Sequence, residues 1–130
     1  MQWLIDIIRG SIREYGMYEY RGDPPDYDFT TGDFTIDSTW HELSLFGLID
    51  KNAHLVNLAV IMRSNIVNKW FGIRRVGQTA QRNSDIIRCQ VPNIYVDNSM
   101  NVSVTPDAII EYRADSAITD LRLTVRGWWY

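Results

Sequence analysis

Two histidines, one cysteine and a run of carboxylates are the residues best suited to chemistry in this 130-residue sequence. His41 and His54 are not spaced as a metal pair, and no Cys pair, His-x-x-x-His motif or Asp-rich calcium loop accompanies them. His41 shares its strand parity with Leu43 and Leu45, which reads as a half-buried, hydrogen-bonded histidine rather than a ligand. The carboxylates between Asp23 and Asp33 could supply a pair for glycosidic cleavage, but an acidic surface loop accounts for them more simply. Cys89 sits at an apolar position of Ile87-Arg88-Cys89-Gln90-Val91 and reads as a small buried hydrophobe, with no second cysteine to pair with. Gly72 and Gly77 are isolated, so no phosphate cradle is present. No nucleophile, base and orienting group stand out together. The chain therefore reads as non-enzymatic, with no cofactor and no metal.

The aromatics carry more information. Five Trp and seven Tyr are many for this length. Trp70, beside Lys69 and close to Arg74, is the best candidate for an exposed glycan contact, since an indole face stacks on a sugar ring while charged neighbours hold hydroxyls. The other aromatics suit a core or a subunit interface, where Trp and Tyr are enriched. Trp128, Trp129 and Tyr130 close the sequence after Gly127. Three large rings in a row each offer apolar area to bury, so they are expected to pack in their own domain or against a neighbouring subunit.

Net charge is −3, which gives no global electrostatic case for nucleic acid. The charge is uneven. Glu19, Asp23, Asp26, Asp28, Asp33 and Asp37 face only Arg21 over residues 19–37, while Arg63, Lys69, Arg74, Arg75, Arg82 and Arg88 dominate residues 63–88. These are either solvated loops and strand edges, or an acidic arm lying on a basic surface within or between subunits. No stretch reaches the roughly 18–20 apolar residues of a membrane span. Asp6 and Arg9 interrupt the early apolar run, so a secretory leader is not expected.

The elements that would position these residues are mostly strands. Trp3, Leu4, Ile7, Ile8, Ile12 and Tyr15 recur at three and four, which predicts an amphipathic helix over residues 1–15, stopped at Gly16. This arm, residues 1–18, either caps its own domain or docks on a partner. Residues 19–37 are expected as an acidic, turn-rich linker, because Gly22, Pro24 and Pro25 break regular structure. From residue 38 to 130 the pattern is β. Leu121, Leu123 and Val125 alternate with polar residues. Ala53 to Met62 is apolar on both parities and predicts a central strand buried on both sides. Short strands are expected at 34–36, 40–45, 71–75, 86–91, 94–96, 101–105, 109–113 and 119–126. Turn signals include Gly47, Pro92-Asn93, Asp97-Asn98-Ser99 and Pro106-Asp107. About eight strands with frequent turns point to a mainly β, jelly-roll-like antiparallel sandwich with a short N-terminal helix.

Several ordered motifs carry a resemblance. Arg21-Gly22-Asp23-Pro24 through Asp28 precedes Thr39-Trp40-His41-Glu42-Leu43-Ser44-Leu45. Phe71-Gly72-Ile73-Arg74-Arg75 with Gly77, Arg88 to Asn93, Ile109 to Ala114 and Leu123 to Trp129 follow. Together they resemble small structural virion proteins of tailed bacteriophages, over about Arg21 to Tyr130. Ile49-Asp50-Lys51-Asn52-Ala53 stands where such proteins tend to carry Pro-Ala-Gly-Ala. The resemblance implies a β-sandwich displayed on the capsid or tail surface, self-associating with a trimer preferred, and contacting other virion proteins. The docking or oligomer interface would then use Trp3, Leu4, Ile7, Ile8, Ile12, Tyr15, Trp128, Trp129 and Tyr130. A host-glycan-binding module using Trp70, Lys69 and Arg74 is the alternative.

Overall fold

The computed structural model describes residues 16–130. The helix expected over residues 1–15, and with it Trp3, Leu4, Ile7, Ile8, Ile12 and Tyr15, lies outside the described residues.

Alternation sets the strands. In β8 (Ile118–Trp129), Leu121, Leu123 and Val125 point inward and are fully buried, while Arg122, Thr124 and Arg126 point outward. Its antiparallel neighbour is β3 (Leu55–Ser64), which pairs in turn with β6 (Val96–Ser103). The short β1 (Tyr18–Tyr20) covers the other edge of β8, giving a first sheet of order β1-β8-β3-β6. The second sheet contains β2 (Trp40–Ser44), β7 (Ile109–Ala114), β4 (Trp70–Arg75) and β5 (Asp85–Arg88), in the order β2-β7-β4-β5. Every pairing between these strands is antiparallel.

The buried faces of both sheets form one core. Val56, Leu58, Val60 and Met62 of β3 join Leu121, Leu123 and Val125 of β8 on one side. Phe71 and Ile73 of β4 join Ile110 and Tyr112 of β7 on the other. Each fully buried aliphatic or aromatic side chain of this kind contributes about 1.5–3 kcal/mol of burial. Cys89 is 1% exposed within this core, as its apolar setting in the sequence implied.

Three expectations from the sequence need correction. β3 is central in its sheet but not buried on both faces: its inward residues are sealed, while Leu55, Asn57, Ala59, Ile61 and Arg63 are half-exposed. Asp97-Asn98-Ser99 is strand rather than turn, because backbone pairing with Ile61, Val60 and Ala59 fixes it while its polar side chains stay in solvent on an edge strand. Phe34-Thr35-Ile36 is not a strand. Phe34 follows a single 3-10 turn (Thr31–Asp33) and packs edge-on against Tyr112 at 5.1 Å and Phe71 at 5.9 Å. The Thr35 N–H donates to the Tyr112 hydroxyl at 2.8 Å, which fixes that crossing.

Residues 19–37, read in the sequence as a linker, are laid against the sheets. Arg21 donates its N–H to the Arg126 carbonyl, and Phe29 exchanges two backbone hydrogen bonds with Leu123. Phe29 thus continues the edge begun by β1, and residues 22–27 leave that edge as an excursion.

Candidate functional site

The excursion is held by one ion pair. Arg21 and Asp28 meet side chain to side chain, and the Asp28 carboxylate is only 6% exposed. The same carboxylate accepts the Val125 N–H at 2.7 Å, and Arg21 Nη1 donates to the Val125 carbonyl at 3.2 Å. An edge strand running straight from β1 to Phe29 would have satisfied those two backbone groups. The ion pair replaces it, so that neither group is left unpaired. Arg21 is clamped into the sheet, while Asp23 rides on the projecting loop and accepts the Tyr20 hydroxyl at 3.1 Å.

The loop overhangs the outer face of the first sheet. There Thr124 of β8, Ala59 of β3 and Ser99 of β6 stand side by side in register. Small side chains across three adjacent strands leave a shallow floor. The next row, Arg122, Ile61 and Asp97, is taller. Between Asn57 and Leu58 the pairing with β8 slips, because Asn57 pairs with Gly127 and Leu58 with Val125. Arg126 is therefore the extra residue of a β-bulge, a device that re-aims a side chain. Near the loop the result is an open groove of about 440 Å³ lined by Tyr20, Tyr27, Ala59, Thr124 and Arg126 under Pro24 and Pro25. A smaller groove of about 190 Å³, lined by Asp97, Asn98 and Ser99, shares Ala59 and Arg126 with it.

Beside the groove, Asp120 gathers a second network. It accepts the Tyr95 hydroxyl at 2.6 Å, the Thr31 hydroxyl at 3.2 Å and Arg122 through Nε and Nη2. Arg122 also lies over the Tyr27 ring at 5.2 Å. Partial burial pushes the Asp120 carboxyl up, but hydrogen bonds from Tyr95, Arg122 and Thr31 outweigh it and hold the group below the usual carboxylate range. The Tyr95 phenol is raised in turn, chiefly by its hydrogen bond to Asp120. The Tyr20 phenol is raised by the same kind of bond to Asp23.

The residues expected to contact a glycan, Trp70, Lys69 and Arg74, lie on or beside β4 of the opposite sheet. Trp70 and Arg74 project from the outer face of β4, but neither is free. Arg113 stacks on Trp70 at 4.4 Å, Arg74 stacks on Trp40 at 3.9 Å, and Arg74 Nε donates to Glu111 Oε1 at 3.0 Å. Trp70 folds over Gly72, where an added Cβ would lie 2.7 Å from its ring. Lys69 is half-exposed at the start of this strand, and its carbonyl accepts the Cys89 N–H. Trp40, Arg74, Trp70 and Arg113 form a cross-strand cation–π stack that covers the sheet.

The closing aromatics pack within their own chain. Trp128 is 9% exposed and belongs to the core. Trp129 contacts the Tyr18 ring at 4.7 Å, and the Tyr130 hydroxyl donates to Glu19 Oε2 at 2.6 Å. His41 is half-buried and bonds Asp37 at 2.9 Å and Thr39 at 3.0 Å. The hydrogen bond from His41, followed by those from Thr39, holds the Asp37 carboxyl below its ordinary value.

Sequence reasoning missed the groove because its members come from four separate stretches, brought together only by strand register. Pro24-Pro25 and the small residues Ala59 and Ser99 were the only traces of it. Among the described residues, no group of three or more His, Cys, Asp or Glu is placed to hold a metal. No helix among them is long and apolar enough to cross a membrane. No protein-family model matches the sequence, and no curated protein matches it significantly.

Proposed function

We propose that this chain is a structural protein of a tailed-phage virion: a jelly-roll body, homo-oligomeric with a trimer preferred, docked on the capsid or tail surface and in contact with other virion proteins. The observation that carries this reading is the strand order β1-β8-β3-β6 against β2-β7-β4-β5. It places the first strand beside the last and nests two Greek keys, an arrangement used in viral capsid and lectin domains.

A second observation supports a structural role. The motifs that resemble virion proteins fall where the fold is held together. Arg21 and Asp28 are the clamp on Val125, Trp40 lies under Arg74, Phe71 is in the core, and Arg113 covers Trp70. The signature is therefore one of folding rather than of a reaction. Charged side chains are used in cross-strand stacks and ion pairs that stiffen both outer faces, as a rigid building block requires.

The test is mass spectrometry of gradient-purified phage particles from the source of the sequence. Peptides of this chain at a fixed ratio to the major capsid protein are expected. Their presence in the unfractionated lysate and absence from the particles would overturn the reading.

A further inference from the structure

We propose that the groove on the outer face of the first sheet is a saccharide site, taking two or more consecutive units of a neutral or amino-sugar glycan. The inference holds independently of the virion reading, since it rests only on the geometry of that face.

The shape comes first. The floor of Thr124, Ala59 and Ser99 crosses three strands in register. At about 4.8 Å per strand spacing it is roughly 10 Å long, enough for an extended disaccharide. The larger end, about 440 Å³, falls within the range of roughly 300–1,000 Å³ typical of small-ligand sites. It opens into the smaller groove past Ala59, which suits a chain ligand that enters and leaves.

The chemistry agrees with the shape. Tyr20 and Tyr27, 61% and 39% exposed, supply aromatic faces for the C–H side of a sugar ring. Sugar hydroxyls both donate and accept. Asp23, Asp26 and Asp97 accept, Thr124 does both, and Arg126 donates from its bulge position along both halves. The loop is already braced by the Arg21–Asp28 clamp and by two prolines, so little ordering would be needed on binding.

Charge narrows the ligand. Three carboxylates around one bulged arginine disfavour phosphates, uronic acids and sialic acids. A nucleic acid is excluded on the same ground. A peptide added as a strand would need a free sheet edge, whereas this groove runs across strands that are already paired.

The test is a titration of the whole isotope-labelled chain with chitotetraose, maltotetraose, mannotetraose and galactotetraose, with sialyllactose as the acidic comparison, followed by amide chemical shifts. At least one neutral or amino-sugar probe is expected to shift Ala59, Ser99 and Thr124 and to leave Trp70 and Arg113 unmoved. Arg126→Ala should weaken that binding about tenfold or more, as loss of a charge-assisted hydrogen bond does. Its exposed position should leave the melting temperature unchanged, which separates lost binding from lost folding. Shifts centred on Trp70, stronger binding of sialyllactose, undiminished binding by folded Arg126→Ala, or no response to any probe at millimolar concentration would each overturn the proposal.

Discussion

Asp28 stands in for a missing stretch of strand. Its carboxylate takes the Val125 N–H and the Arg21 guanidinium at once, in a setting only 6% exposed. Asp28→Ala would leave the Val125 N–H without its acceptor and Arg21 without its partner. A loss of about 2–4 kcal/mol is expected, read as a lower urea midpoint at unchanged slope. Asp120 makes a different kind of prediction. Its folded-state pKa is depressed, so its contribution is present above the ordinary carboxylate range and lost as pH falls through the folded value. Asp120→Asn should cost about 1–2 kcal/mol at neutral pH. The gap to the parent chain should start to narrow as pH falls below about 4 and close only below the depressed folded value, where both chains carry an uncharged group. Stability measured by urea titration from neutral to acid pH checks this. A gap that stays constant across that range would contradict it.

At the scale of elements, β1 depends on Gly127. A Cβ there would lie 2.4 Å from the Glu19 carbonyl oxygen, a backbone atom that has no rotamer to escape into, and equally close to the Tyr18 hydroxyl. Gly127→Ala should therefore push β1 off β8 at a cost of about 1–3 kcal/mol. Hydrogen exchange should show lost protection confined to residues 18–20 and their partners at the end of β8, with the β3–β8 centre unchanged. This element also marks how far the sequence can be read. β8 was legible because apolar and polar residues alternate cleanly along its centre. Asp97-Asn98-Ser99 was not, because an edge strand can be wholly polar on its exposed residues when backbone pairing carries it. The linker reading of residues 19–37 rested on Gly22, Pro24 and Pro25. Those residues do interrupt the edge, but a side-chain ion pair bridges the interruption, and local propensity does not encode a contact between Arg21 and Val125. The aromatic candidate Trp70 was drawn from its basic neighbours in sequence. Register instead gives it Arg113, which lies on another strand.

At the scale of the whole molecule, the two outer faces differ. The second sheet is covered by its own Trp–Arg–Glu stack, while the first presents a groove with an overhanging loop. A body with one self-sealed face and one recessed face is suited to display, with the recessed face turned away from whatever it sits on. If the proposed virion role holds, that recessed surface would face outward from a particle. The most direct measurement is electron microscopy of purified phage particles labelled with a Fab fragment raised against the folded chain. Labels at symmetric positions on the head or tail, grouped in threes, are the expected result. Particles that stay unlabelled while the same Fab captures the chain from the cleared lysate would contradict the virion assignment.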